Sequence, residues 1–105
     1  MATFVFTYRA PQDYTLGTPE GIAAWSSWFD SMGDHLVELG RPVFERTAIG
    51  NCSPADTELG GYSVIQADDF DAALAIAKGC PYLDREGGVE IGLLADIPAE
   101  EPSAS

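Results

Sequence analysis

Basic residues are scarce in this chain: five lysines and arginines stand against seventeen aspartates and glutamates in 105 residues, a formal charge of −12. A nucleic-acid backbone is repelled by such a balance, and no basic patch is present to hold one. An anionic membrane surface is disfavoured for the same reason. A cationic partner is compatible with the charge, and so is the plainer role of dispersed carboxylates in keeping the chain dissolved. Histidine occurs once, at His35, which leaves no conventional multi-histidine metal centre, and no metal or cofactor is expected. Cysteine occurs twice, at Cys52 and Cys80, with no metal-ligand spacing. Two free thiols, one or both buried as small apolar groups, is the simplest reading; a disulfide stays open. Apolar runs are only a few residues long, so no bilayer span is expected. The stretch Met1 to Tyr8 lacks the basic flank and cleavage site of an export signal, which points to the cytoplasm.

What the chain does have is a core's worth of apolar residues, 46%, and room for one domain. Residues 1–97 read as that domain and 98–105, rich in Pro, Glu, Ala and Ser, as a disordered acidic tail. Thr3 to Tyr8 alternates as a strand, and Arg9 to Gly17 carries loop residues. Thr18-Pro19-Glu20 is a helix start, with a capping hydroxyl, a proline suited to the first turn and an acid at the positive end. Ile22, Trp25, Phe29, Met32, Leu36 and Leu39 then recur at 3-4-3-4-3 spacing, which predicts one long helix ended by Gly40 and Pro42. Val43 to Ile49 reads as a second strand, residues 50–58 as a loop and Gly60 to Ala67 as a third strand. The paired glycines Gly60 and Gly61 suggest close backbone approach or a bulge. Asp68 and Asp69 cap a second helix from Phe70 to Lys78, stopped by Gly79 and Pro81, and Val89 to Leu94 is the last strand.

The order strand, helix, strand, strand, helix, strand predicts an α+β fold: a ferredoxin-like βαββαβ subunit, a four-stranded antiparallel sheet with both helices on one face. Apolar residues fall on both faces of the strands: Phe4, Phe6 and Tyr8 against Val5, Tyr62 and Val64 against Ile65, Ile91 and Leu93 against Leu94. Two helices cover one face, so the other calls for a second chain, and a symmetric homodimer through the sheet is the simplest cover.

Leu59-Gly60-Gly61-Tyr62-Ser63-Val64-Ile65, then Asp68-Asp69-Phe70-Asp71-Ala72-Ala73, Gly79-Cys80-Pro81 and Gly88-Val89-Glu90-Ile91 follow one another in order. The ordered set resembles the YCII-related, or DGPF-domain, family. There a GGYY strand, a D-D-x-D-E-A helix start, a CP turn and a G-x-I-E-V-R last strand occur in that sequence. Trp25, Trp28, Phe29, Leu36 and Gly40 look like the family's first helix, and the resemblance covers roughly residues 3 to 95. It implies a subunit that pairs through its sheet as a dimeric α+β barrel. Some YciI-like members are known or proposed enzymes with a His–Asp pair, including a dechlorinating type acting on chlorinated hydroxyquinols. This chain departs from the pattern at three points. The Asp-Gly-Pro-Phe motif is absent from Asn51 to Glu58, His35 does not match the position of the family's histidine, and Gly92 replaces the last strand's arginine. That enzymatic chemistry is therefore not carried over.

No set of residues has diagnostic catalytic spacing. The candidates are His35 with Asp34 beside it, and Glu90. His35 is the only side chain titrating near neutrality unperturbed, but it also fits a plain helix-edge position. Glu90, between Val89 and Ile91, must be paired, protonated or facing a wet cavity. With Thr7 and Ser63 it could line a pocket between the sheet and a partner subunit, or it could make a dimer-interface hydrogen bond or a salt bridge with an arginine such as Arg9, Arg41, Arg46 or Arg85. Trp25 and Trp28 could form an aromatic ligand wall and Tyr62 could contact a ligand, though tryptophans at helical spacing and a strand tyrosine are commonly packing residues. Cys80 reads as a buried structural thiol. Three functions stay open: a dimeric barrel binding a small apolar or aromatic molecule at the sheet face, a small enzyme using His35 or Glu90 as acid or base on a cyclic or hydroxylated substrate, and a dimerisation module with a filled barrel.

Overall fold

The computed structural model describes residues 1–11, 18–52 and 57–95. Its elements are β1 (Ala2–Pro11), α1 (Pro19–Met32), β2 (Leu36–Glu38), β3 (Thr57–Ala67), α2 (Phe70–Ala77) and β4 (Gly88–Leu93). Short 3₁₀ turns at Gly33–His35 and Pro81–Arg85 follow the two helices. The strands form one sheet in the order β2-β3-β1-β4, with every neighbouring pair antiparallel. This is the ferredoxin-like βαββαβ arrangement.

The pleat of β1 explains the layering. Phe4, Phe6, Tyr8 and Ala10 alternate onto one face and are buried there. Phe4 meets Phe70 of α2 edge-on at 5.0 Å, Phe6 stacks on Trp28 of α1 at 6.4 Å, and Tyr8 meets Trp25 at 5.0 Å. Both helices thus cover the same face. Ser63 and Ile65 of β3 and Ile91 of β4 stand opposite Phe6 and Phe4 in register and share that side.

Both helices begin where their caps require. The Gly21 amide donates to Thr18 Oγ1 at 3.2 Å, and the Ala72 amide donates to Asp69 Oδ1 at 2.8 Å. The C-terminal half of the expected first helix is different. α1 stops at Met32 because Gly33 turns to φ 55°. Leu36 and Leu39, which continue the helical spacing, lie beyond that turn. Leu36 opens β2 instead, while Leu39 follows it.

The second strand is therefore Leu36–Glu38, not Val43 to Ile49. Val43 to Ile49 is irregular and open to solvent, with Phe44 76% and Ile49 95% exposed. Arg46 ties this stretch down. Its guanidinium donates to the carbonyls of Leu59 and Val43 at 2.8 Å each and pairs with Glu58.

The buried stripe of α1 is also rotated by one position. Gly21, Trp28 and Met32 are buried, Trp25 and Phe29 are partly covered, and Ile22 is exposed. Trp28 is the centre: its indole N–H donates to the Ile76 carbonyl at 3.1 Å, and its ring lies against Gly79 so closely that a Cβ there would come within 2.7 Å. On α2, Ala73 and Ala77 take the buried positions while Phe70 and Leu74 are half exposed.

The sheet face away from the helices is mixed, not apolar throughout. Val5 pairs with Val64 at its centre, flanked by Thr3, Thr7, Gln66, Tyr62 and Glu90. The expected loop at Arg9 to Gly17 is partly strand, since β1 runs to Pro11; residues 12–17 and the expected tail 98–105 lie outside the described residues. Among the described residues no helix is long and apolar enough to cross a membrane.

Candidate functional site

The most distinctive local structure begins with glycines. β1 and β3 slip register between Tyr8 and Arg9, leaving Gly60 as the extra residue of a bulge. Gly61, at φ 152°, then lets a neighbouring segment approach: Pro42 bridges to Gly61, the Tyr62 amide donates to the Arg41 carbonyl at 3.3 Å, and the Val43 amide donates to the Gly60 carbonyl at 3.1 Å. A Cβ on Gly61 would stand 2.8 Å from the Arg41 carbonyl oxygen, and one on Gly40 (φ 76°) would overlap the Tyr62 carbonyl. Gly40-Arg41-Pro42 is thereby seated on Gly60-Gly61 as an irregular extension of the sheet edge.

Between this seat and α1 lies a cleft of about 360 Å³, within the size range of small-molecule sites. Its walls are aromatic: Trp25 and Phe29 from α1, Tyr8 from β1, and Tyr82 from the turn after α2. Ile22 and Leu39, both exposed, explain themselves here, since each lines the cleft instead of the core. Trp25 is held edge-on to Tyr82 at 4.8 Å and to Tyr8 at 5.0 Å, so the walls brace one another.

Tyr8 carries the one unusual polar group. Its hydroxyl is buried and has no hydrogen-bond partner among the described residues. Burial raises its pKa far above the usual phenol value; Ser63 lies close enough to temper the effect, yet no bond of ordinary geometry joins the two hydroxyls. Among the described residues, Arg41, exposed to solvent, is the only charged one lining the cleft, and no described carboxylate, histidine or cysteine lines it.

The residues singled out from the sequence are dispersed. Ser63 is fully buried on the helix side of the sheet, its hydroxyl donating to the Leu39 carbonyl at 2.6 Å, so it cannot share a pocket with Thr7 and Glu90 on the opposite face. Thr7 and Glu90 do stand opposite each other in register, and Glu90 is exposed. Trp28 is buried with its N–H engaged, and Trp25 takes the wall position instead. Tyr62 contributes to the cleft rim, and its hydroxyl donates to Glu38 at 2.8 Å, which raises its pKa.

His35 and Asp34 sit in the turn after α1. The Gln66 side chain donates to the Asp34 carbonyl at 2.7 Å, and His35 Nδ1 meets the Gln66 carbonyl at 2.9 Å. A carbonyl only accepts, so Nδ1 carries the proton and the pair works as a clamp on β3. Neither residue lines the cleft, and neither does Glu90. Cys52 and Cys80 are both free thiols, the first exposed and the second buried.

No family model matches the chain, and no curated protein matches it. The site is therefore read from its own geometry. Among the described residues no group of His, Cys, Asp and Glu is placed to hold a metal ion. The sequence signal that could have located the cleft is the pairing of Gly40-Arg41-Pro42 with Gly60-Gly61, which requires two backbones in contact.

Proposed function

We propose that this protein binds a small aromatic or apolar molecule in the cleft between α1 and the Gly40–Pro42 seat. The observation that carries the reading is the cleft itself: about 360 Å³ walled by Trp25, Phe29, Tyr8 and Tyr82 and open to solvent. A flat ring entering it exchanges water for aromatic faces and edges, the arrangement that favours stacking and edge-to-face contact. Among the described residues, the lining carries hydroxyl side chains and Arg41 and no carboxylate or imidazole of an acid–base pair. Titration with 2-naphthol, followed by the fluorescence of Trp25 and Trp28, is the direct test. Saturable quenching lost in Trp25→Leu supports the reading; no saturable binding at millimolar ligand refutes it.

The assembly we propose is a homodimer of the YCII-related kind, paired through the open sheet face. The ordered motif set supports this, as do the paired Val5 and Val64 at the centre of that face. Sedimentation velocity at micromolar concentration should give a dimer that Val64→Lys dissociates. A folded wild-type monomer at that concentration would overturn the pairing and leave the cleft proposal standing.

A further inference from the structure

Resting on the dimer proposal, we infer that the two copies pair about a two-fold axis running along the strands between β1 and β3, with Glu90 of each copy meeting Arg41 of the partner subunit. The charges of the open sheet face are laid out in one row. Glu90 on β4 stands opposite Thr7 on β1, Thr7 stands opposite Tyr62 on β3, and the Tyr62 amide donates to the Arg41 carbonyl at the far edge. Glu90 and Arg41 are both exposed. The Tyr62 phenol alternates with buried Ser63 and so lies on the open face. It titrates high chiefly because Glu38 accepts its hydrogen bond, and the Arg41 charge is near enough to pull the other way, which sets that charge on the same face. The other arginines are engaged elsewhere: Arg9 donates to Thr57, Arg46 pairs with Glu58, and Arg85 lies in the turn whose Tyr82 packs against Tyr8 on the helix side.

An axis along the strands lays each row, turned end for end, over the same row of the partner copy. Glu90 then lies over the partner's Arg41 and Thr7 over the partner's Tyr62. The next row, Gly92, Val5, Val64 and Glu38, follows the same strand order. Val5 therefore lies over the partner's Val64, and Gly92, with no side chain, leaves room for the partner's Glu38. Apolar meets apolar at the centre, and unlike charges meet at the flank. An axis across the strands does the opposite. It sets Glu90 on Glu90 or Glu38 on Glu38, according to the row it crosses, and like charges facing each other are unfavourable. Facing sheets lie about 10 Å apart and turn by about 30°, a gap that a glutamate and an arginine can span together. Within one chain the same two residues are three strand spacings apart, about 14 Å, so they do not pair internally.

The experiment is a charge-swap cycle on the intact chain, read as the dimer dissociation constant by sedimentation equilibrium at low salt. Glu90→Arg and Arg41→Glu should each raise that constant on the order of tenfold, since symmetry repeats each like-charge contact. Glu90→Arg is the more telling of the two, because it lowers a net charge of −12, which by itself would ease association. The double variant restores both pairs with the signs exchanged, at the wild-type net charge, and should return to within about threefold of wild type. Both side chains are exposed, so all three variants should fold, which far-UV circular dichroism checks. Single variants that dimerise like wild type, or a double variant no tighter than either single one, overturn the Glu90–Arg41 pairing, while a dimer that Val64→Lys dissociates keeps the sheet-face reading. A monomeric wild type overturns both.

Discussion

Trp28→Ala should be among the costliest single truncations in the molecule. Trp28 is only 7% exposed and touches four aromatic rings: Phe6 at 6.4 Å, Tyr8 at 5.8 Å, Trp25 at 5.6 Å and Phe29 at 5.3 Å. Emptying a buried aromatic site typically costs about 3–5 kcal/mol. The lost indole bond to Ile76 adds little, since that carbonyl also accepts from the Gly79 amide at 3.2 Å and is not orphaned. At a urea slope of about 2 kcal/mol per molar, a loss of about 4 kcal/mol moves the midpoint down by about 2 M. Phe29→Ala is the control, because Phe29 sits at the cleft wall and is only partly covered; its cost should be about 1–2 kcal/mol. Urea unfolding followed by far-UV circular dichroism gives both numbers. If Phe29→Ala proves the more damaging, or Trp28→Ala costs under about 1 kcal/mol, the rotation of the α1 stripe toward Trp28 is wrong.

Three further outcomes are open to measurement. Gly40→Ala should destabilise the fold by about 2–3 kcal/mol, since it puts a Cβ into the Tyr62 carbonyl at a left-handed φ; a variant as stable as wild type in thermal melts contradicts the seat geometry. Tyr8→Phe should stabilise the ligand-free protein or leave it unchanged, because it removes a buried hydroxyl without a partner, and a loss above about 1 kcal/mol in urea would mean that hydroxyl is bonded. Burial pushes the Cys80 thiol from 9.0 up to about 11, so the fold favours its neutral form. That stabilisation is complete below about pH 9 and is lost as pH rises toward 11; Cys80→Ala should flatten the decline in urea midpoint over this window, whereas an unchanged decline would assign it elsewhere. Native thiol labelling should accordingly modify Cys52 quickly and Cys80 only on unfolding.

Much of the topology is readable from local chemistry. The caps at Thr18 and Asp69, the alternation of Phe4, Phe6 and Tyr8, and the Gly60-Gly61 bulge all carry their structural meaning in the residues themselves. β2 is different. Leu36 and Leu39 keep helical spacing with Met32, and a glycine inside such a pattern costs a helix only about 1 kcal/mol, so Gly33 does not announce a break. Val43 to Ile49, by contrast, has strand composition but no partner: β3 is already met by Leu36–Glu38 and by Pro42. Edge pairing is a tertiary outcome that composition does not encode. The α1 stripe fails for a related reason. Ile22 and Phe29 are apolar because they wall a cleft, and a periodicity argument counts every apolar residue as core. His35 and Glu90 stand out because titratable groups are few, whereas the cleft is built from aromatic rings and backbone that individually look ordinary.

The brevity of β2 also bears on how molecules of this chain meet one another. A sheet ending in a long regular strand offers a ladder of unsatisfied amides and carbonyls, a template for strand addition and, ultimately, fibrils. Here the β2 border is three residues, interrupted by a register shift at Leu36/Glu38 and continued through Pro42, which has no amide hydrogen to give. The opposite border, β4, alternates Gly88, Glu90 and Gly92 on one face, two residues poor at holding a strand and one that carries charge. Any second copy approaching either border brings another −12 with it. Lateral growth of the sheet is therefore blocked by backbone chemistry on one side and by composition and charge on the other, and Phe44 and Ile49 can stay exposed in an adjoining irregular stretch without seeding a continuous β-ribbon.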